Sequence, residues 1–343
     1  MLKTLVITGG CGFIGSNFVH LLLRERPDWR IVNLDALTYA GNLANLTSIA
    51  DDPRYTFLRV DITDADALNA ALATLPTPPD ALVHFAAESH VDRSIVGPEA
   101  FLNTNIIGTF RLLEYARKHK QLRYVQVSTD EVYGSLGDEG AFTEDTPIAA
   151  NSPYSASKAS ADLMVRAYHH TFGLDVVTTR CSNNYGPFQF PEKLIPLMIL
   201  HAKDGKPMPV YGNGKNVRDW IHVEDHCRGV LTALEHGKPG EVYNFGGESE
   251  RDNLQIVQQI ADLVCGHRDL IRFVQDRPGH DWRYAMDITK VRRELGWEPR
   301  VTFATGLADT IQWYLANPEW CRQVLSQEYR SFYDQWYAGR TNA

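Results

Sequence analysis

The sequence predicts an α/β fold in which a doubly wound parallel sheet is followed by a smaller C-terminal α/β region. In the first half of the chain, short runs of β-branched and aromatic residues alternate with longer amphipathic segments, as parallel strands joined by right-handed helical crossovers do. Beyond Cys181 this alternation becomes irregular, and five prolines lie between residues 187 and 209. We therefore predict a first domain at residues 1–180 and a second region at 181–343, with some of its chain returning to the first core.

Residue periodicity predicts the individual elements. The predicted strands are Thr4–Thr8, Ile31–Leu34, Phe57–Val60, Ala81–Phe85, Tyr124–Ser128 and Val176–Thr179, followed in the second region by Val210–Tyr211 and Val242–Phe245. Apolar residues recur every three or four positions in the predicted helices, which are Phe13–Arg24, Phe101–Lys118, Val223–Glu235, Leu254–Val264 and Phe303–Leu315. Ligands are expected in the crevice between the two regions.

Composition favours a small-molecule partner over nucleic acid or membrane. The 343 residues include 34 Lys and Arg against 42 Asp and Glu, a formal charge of −8 that opposes bulk binding to anionic surfaces. No apolar run reaches the ~18 residues that a membrane span needs, and the five cysteines form no C-x-x-C pair. We predict a cytoplasmic protein with free thiols and without a metal site, because the His and acidic residues show no ligand spacing.

A glycine-rich turn after the first strand predicts a Rossmann-type dinucleotide site. Gly9, Gly12 and Gly15 precede or open the first helix, where small residues let the backbone approach a pyrophosphate at the helix N-terminus. Asp35 stands twenty residues after Gly15, at the end of the second strand, where a carboxylate binds an adenosine ribose and repels a 2′-phosphate. NAD is therefore predicted rather than NADP. Asp61 closes the third strand and either meets the adenine or caps a helix.

Tyr154 and Lys158 open a helix after Pro153, and their spacing of four residues places them on one helix face. A tyrosine phenol normally titrates near ~10, but a lysine ammonium and a positive nicotinamide ring both favour the phenolate. The pair could therefore remove a proton from a sugar hydroxyl as a hydride leaves. An incidental pair of helix residues has the same spacing, so the spacing alone does not decide.

The glycine turn, the acidic residue after the second strand and the Tyr-x-x-x-Lys pair together resemble the extended short-chain dehydrogenase/reductase family. The chain is similar to the nucleotide-sugar dehydratases of that family in longer runs, which are residues 86–92, 128–134, 183–187, 190–194, 217–220 and 277–280. This resemblance extends to about Pro299. It implies tightly bound NAD, dTDP-glucose as the substrate, a homodimer, and a role in deoxysugar biosynthesis that serves either rhamnose or a natural product.

The resemblance also implies a mechanism. Tyr154 takes the proton of the C4 hydroxyl, Thr129 hydrogen-bonds the same oxygen, and the C4 hydride passes to NAD. Glu131 then removes the C5 proton while Asp130 protonates the departing C6 hydroxyl, and the hydride returns to C6 to give a 4-keto-6-deoxy sugar. Such a division of roles suits adjacent carboxyls, because close like charges separate their titrations. From the residues alone, a solvated loop is the alternative for Asp130 and Glu131.

The remaining site residues are likewise implied by the resemblance. The predicted cofactor-binding residues are Gly9, Gly12, Phe13, Ile14, Gly15, Asp35, Ala36, Leu37, Thr38, Asp61, Ile62, Phe85, Ala86, Ala87, Ser89, Thr104, Tyr154, Lys158 and Asn184. The predicted substrate-binding residues are Ser89, Thr129, Asn183, Glu192, Lys193, Leu194, Pro209, Val210, Tyr211, Arg218, Asn253, Asp276, Arg277 and His280. Among these, Arg218, Arg277 and Lys193 are assigned to the diphosphate, and Pro209–Tyr211 to the base.

Two positions depart from the commonest family pattern, and two other functions remain open. Cys11 stands where Ala is expected, and Trp282 stands where Arg is common. An NAD-dependent nucleotide-sugar 4-epimerase would use Tyr154 but would not need an acid–base pair at Asp130 and Glu131. A non-catalytic NAD-binding regulator is the third possibility, and the intact Tyr154 and acidic pair argue against it.

Overall fold

A computed structural model describes residues 3–325, and it contains three β-sheets. The end of the predicted second region, residues 326–343, lies outside the described residues. The strands are β1 Thr4–Thr8, β2 Arg30–Asp35, β3 Tyr55–Arg59, β4 Ala81–His84, β5 Arg123–Thr129, β6 Val176–Cys181, β7 Asn183–Tyr185, β8 Met208–Tyr211, β9 Val217–His222, β10 Val242–Phe245, β11 Glu250–Asp252 and β12 Ile271–Val274.

The helices alternate with these strands through most of the described chain. They are α1 Phe13–Glu25, α2 Ala65–Ala73, α3 Val91–Val96, α4 Pro98–Phe101, α5 Thr109–Lys118, α6 Pro153–Phe172, α7 Leu194–Lys203, α8 Val223–His236, α9 Asn253–Val264, α10 Thr289–Leu295, α11 Phe303–Ala316 and α12 Pro318–Val324. Two 3₁₀ segments, Leu43–Ile49 and Asp130–Tyr133, and a π-helical segment, Leu102–Gly108, complete the list. Within residues 3–325, none of these helices combines the length and the apolar character needed to cross a membrane.

The largest sheet has seven parallel strands in the order β10-β6-β5-β4-β1-β2-β3, which confirms the predicted fold class. The strand order reverses beside β1, whose neighbours are β2 and β4. In open α/β sheets, ligands bind beyond the carboxyl ends of the strands at such a reversal. The strand β10, from the second half of the chain, joins this sheet by pairing with β6.

Apolar side chains from helices cover both faces of this sheet. On one face Phe18 and Leu22 of α1 and Val230 of α8 pack in one buried cluster. On the other face Leu113 of α5 and Val165 of α6 pack in a second cluster. Each such side chain contributes roughly 1.5–3 kcal/mol by leaving water, so the two layers fix the strand ends that carry the site.

The second region packs around its own core beside the carboxyl edge of the main sheet. Its sheet has the order β11-β9-β7, and β8 pairs in parallel with β12. Side chains of α7, α9 and α11 form a third buried cluster that includes Met198, Ile256 and Leu307. Because β7 begins two residues after β6 ends, the chain passes directly from the main sheet into this region.

The predicted helix Phe101–Lys118 is interrupted in the structure. The π-helical segment Leu102–Gly108 separates α4 from α5 and buries Asn105 and Gly108. A Cβ atom on Gly108 would lie 2.5 Å from Cδ1 of Ile62, so a larger residue there would displace the Ile62 side chain. Apolar periodicity does not reveal such a break, which brings Thr104 to the ligand cleft.

Candidate active site

A cleft of about 300 Å³ lies at the carboxyl ends of the main-sheet strands. Its first wall is the turn between β1 and α1. Gly9 has a φ of 73°, and a Cβ atom on Gly15 would lie 2.2 Å from the carbonyl oxygen of Gly9. No side chain caps α1 at Gly12, so the first backbone N–H groups of the helix remain available for an anion. This cradle fits the pyrophosphate of a dinucleotide.

Asp35 closes β2 at the edge of the cleft, and its carboxylate is held by two backbone N–H groups. Oδ2 accepts from Cys11 at 2.9 Å, and Oδ1 accepts from Leu37 at 2.8 Å. Burial raises the pKa of Asp35, and these two hydrogen bonds lower it. Each carboxylate oxygen keeps a second lone pair, so the group can still accept from a ribose hydroxyl. The small thiol of Cys11 is fully buried behind this carboxylate.

Most of the predicted cofactor residues line this cleft. They are Gly9, Gly12, Phe13, Ile14, Gly15, Asp35, Ala36, Thr38, Asp61, Ile62, Phe85, Ala86, Ala87, Ser89, Thr104, Tyr154, Lys158 and Asn184. Leu37 is absent from the lining and takes a φ of 56° where the chain turns after β2. The carboxylate of Asp61 accepts from Thr63, whereas Asp64 caps α2, so the helix-cap alternative for Asp61 is wrong.

The amide of Asn184 makes hydrogen bonds within the protein. His226 contacts its Oδ1 through Nδ1 at 2.9 Å, and its Nδ2 donates to the carbonyl of Ser182 at 3.0 Å. Burial lowers the pKa of His226 to about 3, so the imidazole is neutral at physiological pH. Asn184 therefore shapes the cleft with a fixed side chain, which the sequence did not indicate.

The reacting groups predicted on β5 lie together where that strand ends. Thr129 is the last residue of β5, and Asp130 and Glu131 begin the following 3₁₀ turn. The Thr129 hydroxyl donates to Oδ1 of Asp130 at 3.2 Å and accepts from the Glu131 backbone N–H at 3.3 Å. Oδ2 of Asp130 is buried and has no hydrogen-bond partner. All three residues line the cleft, so the solvated-loop alternative is wrong.

The two carboxyls differ in their electrostatic surroundings. Burial, followed by the neighbouring Glu131, raises the pKa of Asp130 well above its ordinary value. Burial also raises the pKa of Glu131, but Arg277, Lys193 and Arg218 oppose this rise. The pKa of Asp130 is therefore raised more strongly than that of Glu131, so Asp130 is the better placed of the two to donate a proton and Glu131 to accept one.

Tyr154 and Lys158 lie in the first turns of α6 and line the same cleft. A capping box between Ser152 and Ser155, with Pro153 at the first helical position, fixes where the helix begins. The Lys158 ammonium donates to the carbonyl of Val127 on β5 at 2.8 Å.

The pKa of Tyr154 differs from the sequence-based expectation. Burial, then Glu131, raises it well above the ordinary value, and a hydrogen bond with Thr129 acts in the opposite direction. The prediction of a lowered pKa is therefore not met by the protein groups alone. Burial lowers the pKa of Lys158.

The substrate residues fall into two groups. Ser89, Thr129, Asn183, Glu192 and Lys193 line the cleft. Outside its lining lie Leu194 at the start of α7, Asn253 at the start of α9, the β8 residues Pro209, Val210 and Tyr211, and Arg218, Asp276, Arg277 and His280. Pro209 and Val210 are buried, and Val210 packs in the core of the second region, which leaves Tyr211 as the half-buried member of the predicted base wall.

Asp92 organises part of the second group, and the sequence analysis did not single it out. Its Oδ1 accepts from Arg277 at 2.9 Å, and its Oδ2 accepts from the Tyr211 hydroxyl at 2.9 Å. Although burial acts in the other direction, Arg277 holds the pKa of Asp92 below its ordinary value. The only sequence signal is its place at the end of the 86–92 run. Asp92 therefore positions a predicted phosphate-binding guanidinium.

Comparison with known proteins identifies the family. A protein-family model described as GDP-mannose 4,6 dehydratase matches residues 6–310 of this chain. The dTDP-glucose 4,6-dehydratase of Xanthomonas campestris pv. campestris (strain B100) is 52% identical over 347 residues, covering 96% of this chain and 98% of that protein. A crystal structure of the Streptomyces venezuelae dTDP-glucose 4,6-dehydratase, with NAD bound, has a TM-score of 0.90 at 50% identity, covering 94% of this chain and all of that chain (100%). The chain belongs to the dTDP-glucose 4,6-dehydratase family.

Epimerases share the fold at greater distance. The UDP-glucose 4-epimerase of Thermotoga maritima has a TM-score of 0.85 at 26% identity, covering 92% of this chain and 100% of that chain. Since both enzyme classes use this fold, the fold does not separate them, and the residues in the cleft must do so.

Trp282, which stands where Arg is common in the family, makes hydrogen bonds with two nearby residues. Its indole N–H donates to Asp138 at 3.0 Å, and its backbone N–H donates to the hydroxyl of Ser135 at 2.8 Å. The residue is 41% exposed. Its carbonyl oxygen accepts from Arg218 at 3.4 Å, so the main chain rather than the indole contacts a predicted substrate residue.

Within residues 3–325, no group of three or more His, Cys, Asp or Glu side chains is arranged to hold a metal ion. The same part of the chain contains five free cysteines, of which Cys11, Cys181, Cys227 and Cys321 are buried. Cys181, together with Gln189 and Phe190, lines the cleft without having been predicted to do so. Their positions depend on how β6 and the Phe190–Lys193 segment fold over the sheet.

Proposed function

We propose that this protein converts dTDP-glucose to dTDP-4-keto-6-deoxy-glucose by NAD-dependent dehydration. The observation that carries the proposal is the pair formed by the buried Asp130 and the partly buried Glu131, which faces the same cleft as Tyr154 and has unequal pKa shifts. The names of the curated relatives and the glycine cradle support the same activity. Bound NAD supplies the acceptor for a hydride from C4 and the donor for its return to C6.

The chain's own residues provide the proton transfers. Tyr154 takes the proton of the C4 hydroxyl, and Thr129, whose hydroxyl lies between Tyr154 and Asp130, holds that oxygen. Once C4 is a ketone, the C5 proton is acidic, and Glu131 removes it as a carboxylate. Asp130, kept protonated by burial, gives its proton to the C6 hydroxyl, which leaves as water. Burial raises the pKa of Tyr154, and we expect the positive nicotinamide ring and the nearby Lys158 ammonium to oppose this rise when NAD is bound.

The cations of the second region suit the nucleotide end. Arg218 and Arg277 both act electrostatically on Glu131, so their guanidinium groups lie within reach of the sugar end of the cleft. A guanidinium fork matches diphosphate oxygens, and Lys193 adds a third positive charge at the lining. Tyr211 offers the adjacent ring for stacking with the base.

A labelled substrate tests the function directly. With dTDP-glucose deuterated at C4, the dehydratase should give a product lighter by one water that carries the deuterium at C6. A 4-epimerase would give a product of unchanged mass with the label retained at C4, and a regulator would give no product. The double variant Asp130→Asn/Glu131→Gln should bind dTDP as the parent does and form no dehydrated product. Dehydration by that variant would show that the two carboxyls do not form the acid–base pair.

The same proposal covers location and assembly. Buried free thiols suit a reducing cytoplasm, where the product would enter deoxysugar biosynthesis such as that of dTDP-rhamnose. Exposed apolar side chains on the π-helical segment and α6, namely Leu102, Ile107, Leu163 and Phe172, support a homodimer built on these helices. Light scattering should give twice the chain mass, and Leu163→Glu should shift it toward the monomer.

A further inference from the structure

Tyr39 joins the two walls of the cleft with one hydrogen bond. Its hydroxyl donates to Oε1 of Glu192 at 3.0 Å, across 153 positions of sequence. Glu192 lines the cleft beside Lys193, whereas Tyr39 lies behind the lining. The bond therefore connects the loop after β2 with the segment that precedes α7, and neither proposed ligand needs to touch the tyrosine.

The loop that carries Tyr39 is tied to the ribose carboxylate. Oδ1 of Asp35 accepts from the Leu37 backbone N–H at 2.8 Å, and the Gly41 backbone N–H donates to the Thr38 carbonyl at 3.0 Å. Thr38 and Gly41 also line the cleft. Tyr39 thus lies within a short turn that forms the adenosine wall, so a displacement of its side chain is transmitted to that wall.

The tyrosine ring is fixed independently of its hydroxyl. It meets Phe190 edge-on with the ring centroids 5.6 Å apart, and the guanidinium of Arg93 lies 3.9 Å from the tyrosine ring centroid. These contacts involve the aromatic face and edge alone. Phenylalanine at this position keeps both contacts and removes only the hydrogen bond to Glu192.

The Glu192 carboxylate is oriented by this bond. Its second oxygen, Oε2, is buried without a hydrogen-bond partner, and Nδ1 of His90 is 4.0 Å away. The ammonium of Lys193, the next residue, donates to the Ser89 carbonyl at 2.7 Å. Holding Oε1 on Tyr39 therefore leaves Oε2 as the oxygen of Glu192 that can accept from a bound nucleotide sugar.

We propose that Tyr39 is a positioning residue that couples the binding of NAD to the binding of the nucleotide sugar. This inference rests on the proposed function, because it takes the two walls to bind those two ligands. Closure of the Glu192 segment on the nucleotide sugar holds Tyr39 and the adenosine wall in place, and a seated adenosine holds Glu192 ready for the sugar. Such a link keeps the cofactor bound during a reaction that takes a hydride and must return it.

Coupling of this kind is reciprocal, so it can be measured in two independent ways. The factor by which dTDP tightens NAD must equal the factor by which NAD tightens dTDP. Burial raises the pKa of Glu192 to about 7, so the bond has the strength of an ordinary hydrogen bond near neutral pH. Tyr39→Phe should therefore reduce both coupling factors by up to about 10-fold. The readout is binding, measured for NAD with and without dTDP and for dTDP with and without NAD.

The matched control is Tyr168→Phe, which removes another tyrosine–glutamate hydrogen bond, of 2.7 Å to Glu114, outside the cleft. It should leave both coupling factors at the parent value. Thermal unfolding confirms that each variant is folded. If Tyr39→Phe binds each ligand more weakly but keeps the parent coupling factors, or changes nothing, the inference is overturned. Failure of the proposed function would look different, because the parent would then bind the ligands without forming a dehydrated product.

Discussion

The catalytic end of the cleft and the nucleotide end use buried charge in opposite ways. At the catalytic end, Asp130 keeps a buried oxygen without a partner, and burial raises its pKa well above the ordinary value. At the nucleotide end, Arg277 is paired with Asp92 at 2.9 Å, and Arg218 donates to the carbonyl of Asp281 at 3.0 Å. One end holds an acid in its neutral form, and the other holds cations in place with partners of their own.

The difference teaches which kinetic constant each end should control. A buried, incompletely bonded carboxyl gains its interactions when the reaction develops charge, so its loss should lower kcat. A guanidinium that is already positioned can bind phosphate oxygens in the ground state and the transition state alike. Its loss should therefore raise KM and leave kcat closer to the parent value.

The largest effect is expected at Tyr154. Tyr154→Phe removes the base that takes the C4 hydroxyl proton while keeping the ring between Phe101 and the cleft. General-base loss typically costs ~10²–10⁴ in rate, and this loss should appear in kcat with dTDP affinity nearly unchanged. Steady-state kinetics with a dTDP titration measures both. Full activity in this variant would show that Tyr154 of α6 does not take part in catalysis.

A substitution at the nucleotide end should raise KM. Arg277→Ala removes a guanidinium assigned to the diphosphate, and a charge-assisted hydrogen bond is worth roughly 1.5–3 kcal/mol, so KM should rise by about 10- to 100-fold. The affinity for free dTDP should fall by a similar factor, because the sugar is not involved. Arg272→Ala, at an exposed position on β12, is the control and should change neither constant. A fall in kcat at unchanged KM would assign Arg277 to the reacting end instead.

The sequence predicted the sheet well because its information there is local. The predicted strands Thr4–Thr8 and Val242–Phe245 match β1 and β10 in full, and the predicted helix Phe13–Arg24 differs from α1 by one residue. Alternating and periodic apolar residues specify such elements without reference to the rest of the chain. The break at Leu102–Gly108 was not predicted, because it depends on how closely Gly108 approaches Ile62 in the folded chain.

The site divides in the same way. The glycine turn, Asp35 and the Tyr154–Lys158 spacing are short-range patterns, and the structure brings them to one cleft. Asp92 and Tyr39 could not be found by spacing, because their partners lie 185 and 153 positions away. Nor could the pKa of Tyr154, which depends on how deeply α6 is buried. Long-range packing determines these features, and a periodic pattern in the sequence carries no information about that packing.

A smaller effect is expected at Asp35, which is a buried carboxylate like Asp130 but has a backbone N–H on each oxygen. These hydrogen bonds favour its ionised form, so it can accept from the ribose and repel a 2′-phosphate. Asp35→Ala should weaken NAD by about 10-fold, since one charge-assisted hydrogen bond is lost, and narrow the preference over NADP. Titration with both cofactors measures the change, and equal affinities in the parent would contradict the assignment.

The smallest expected effect is a shift in pH dependence that links the two ends. Burial raises the pKa of Glu131, and Arg277 is the strongest of the cations that oppose this rise. Since Glu131 must be ionised to take the C5 proton, kcat falls as the pH drops through its pKa. Arg277→Ala removes a positive charge that stabilises the carboxylate, so the pKa of Glu131 rises further. The acidic limb of kcat, measured at saturating dTDP-glucose, should therefore move to higher pH by up to about one unit, which corresponds to 1.36 kcal/mol.

The direction of this shift separates two explanations of the acidic limb. If the limb reported the titration of a group away from Arg277, the acidic limb of kcat at saturation would not depend on Arg277 and would stay in place. Arg272→Ala again removes one positive charge, but from an exposed position on β12, and should leave the limb unmoved. Movement of the acidic limb to lower pH would mean that the charge of Arg277 does not stabilise the Glu131 carboxylate. Movement to higher pH in Arg277→Ala alone would show that the nucleotide end keeps the base at the catalytic end ionised.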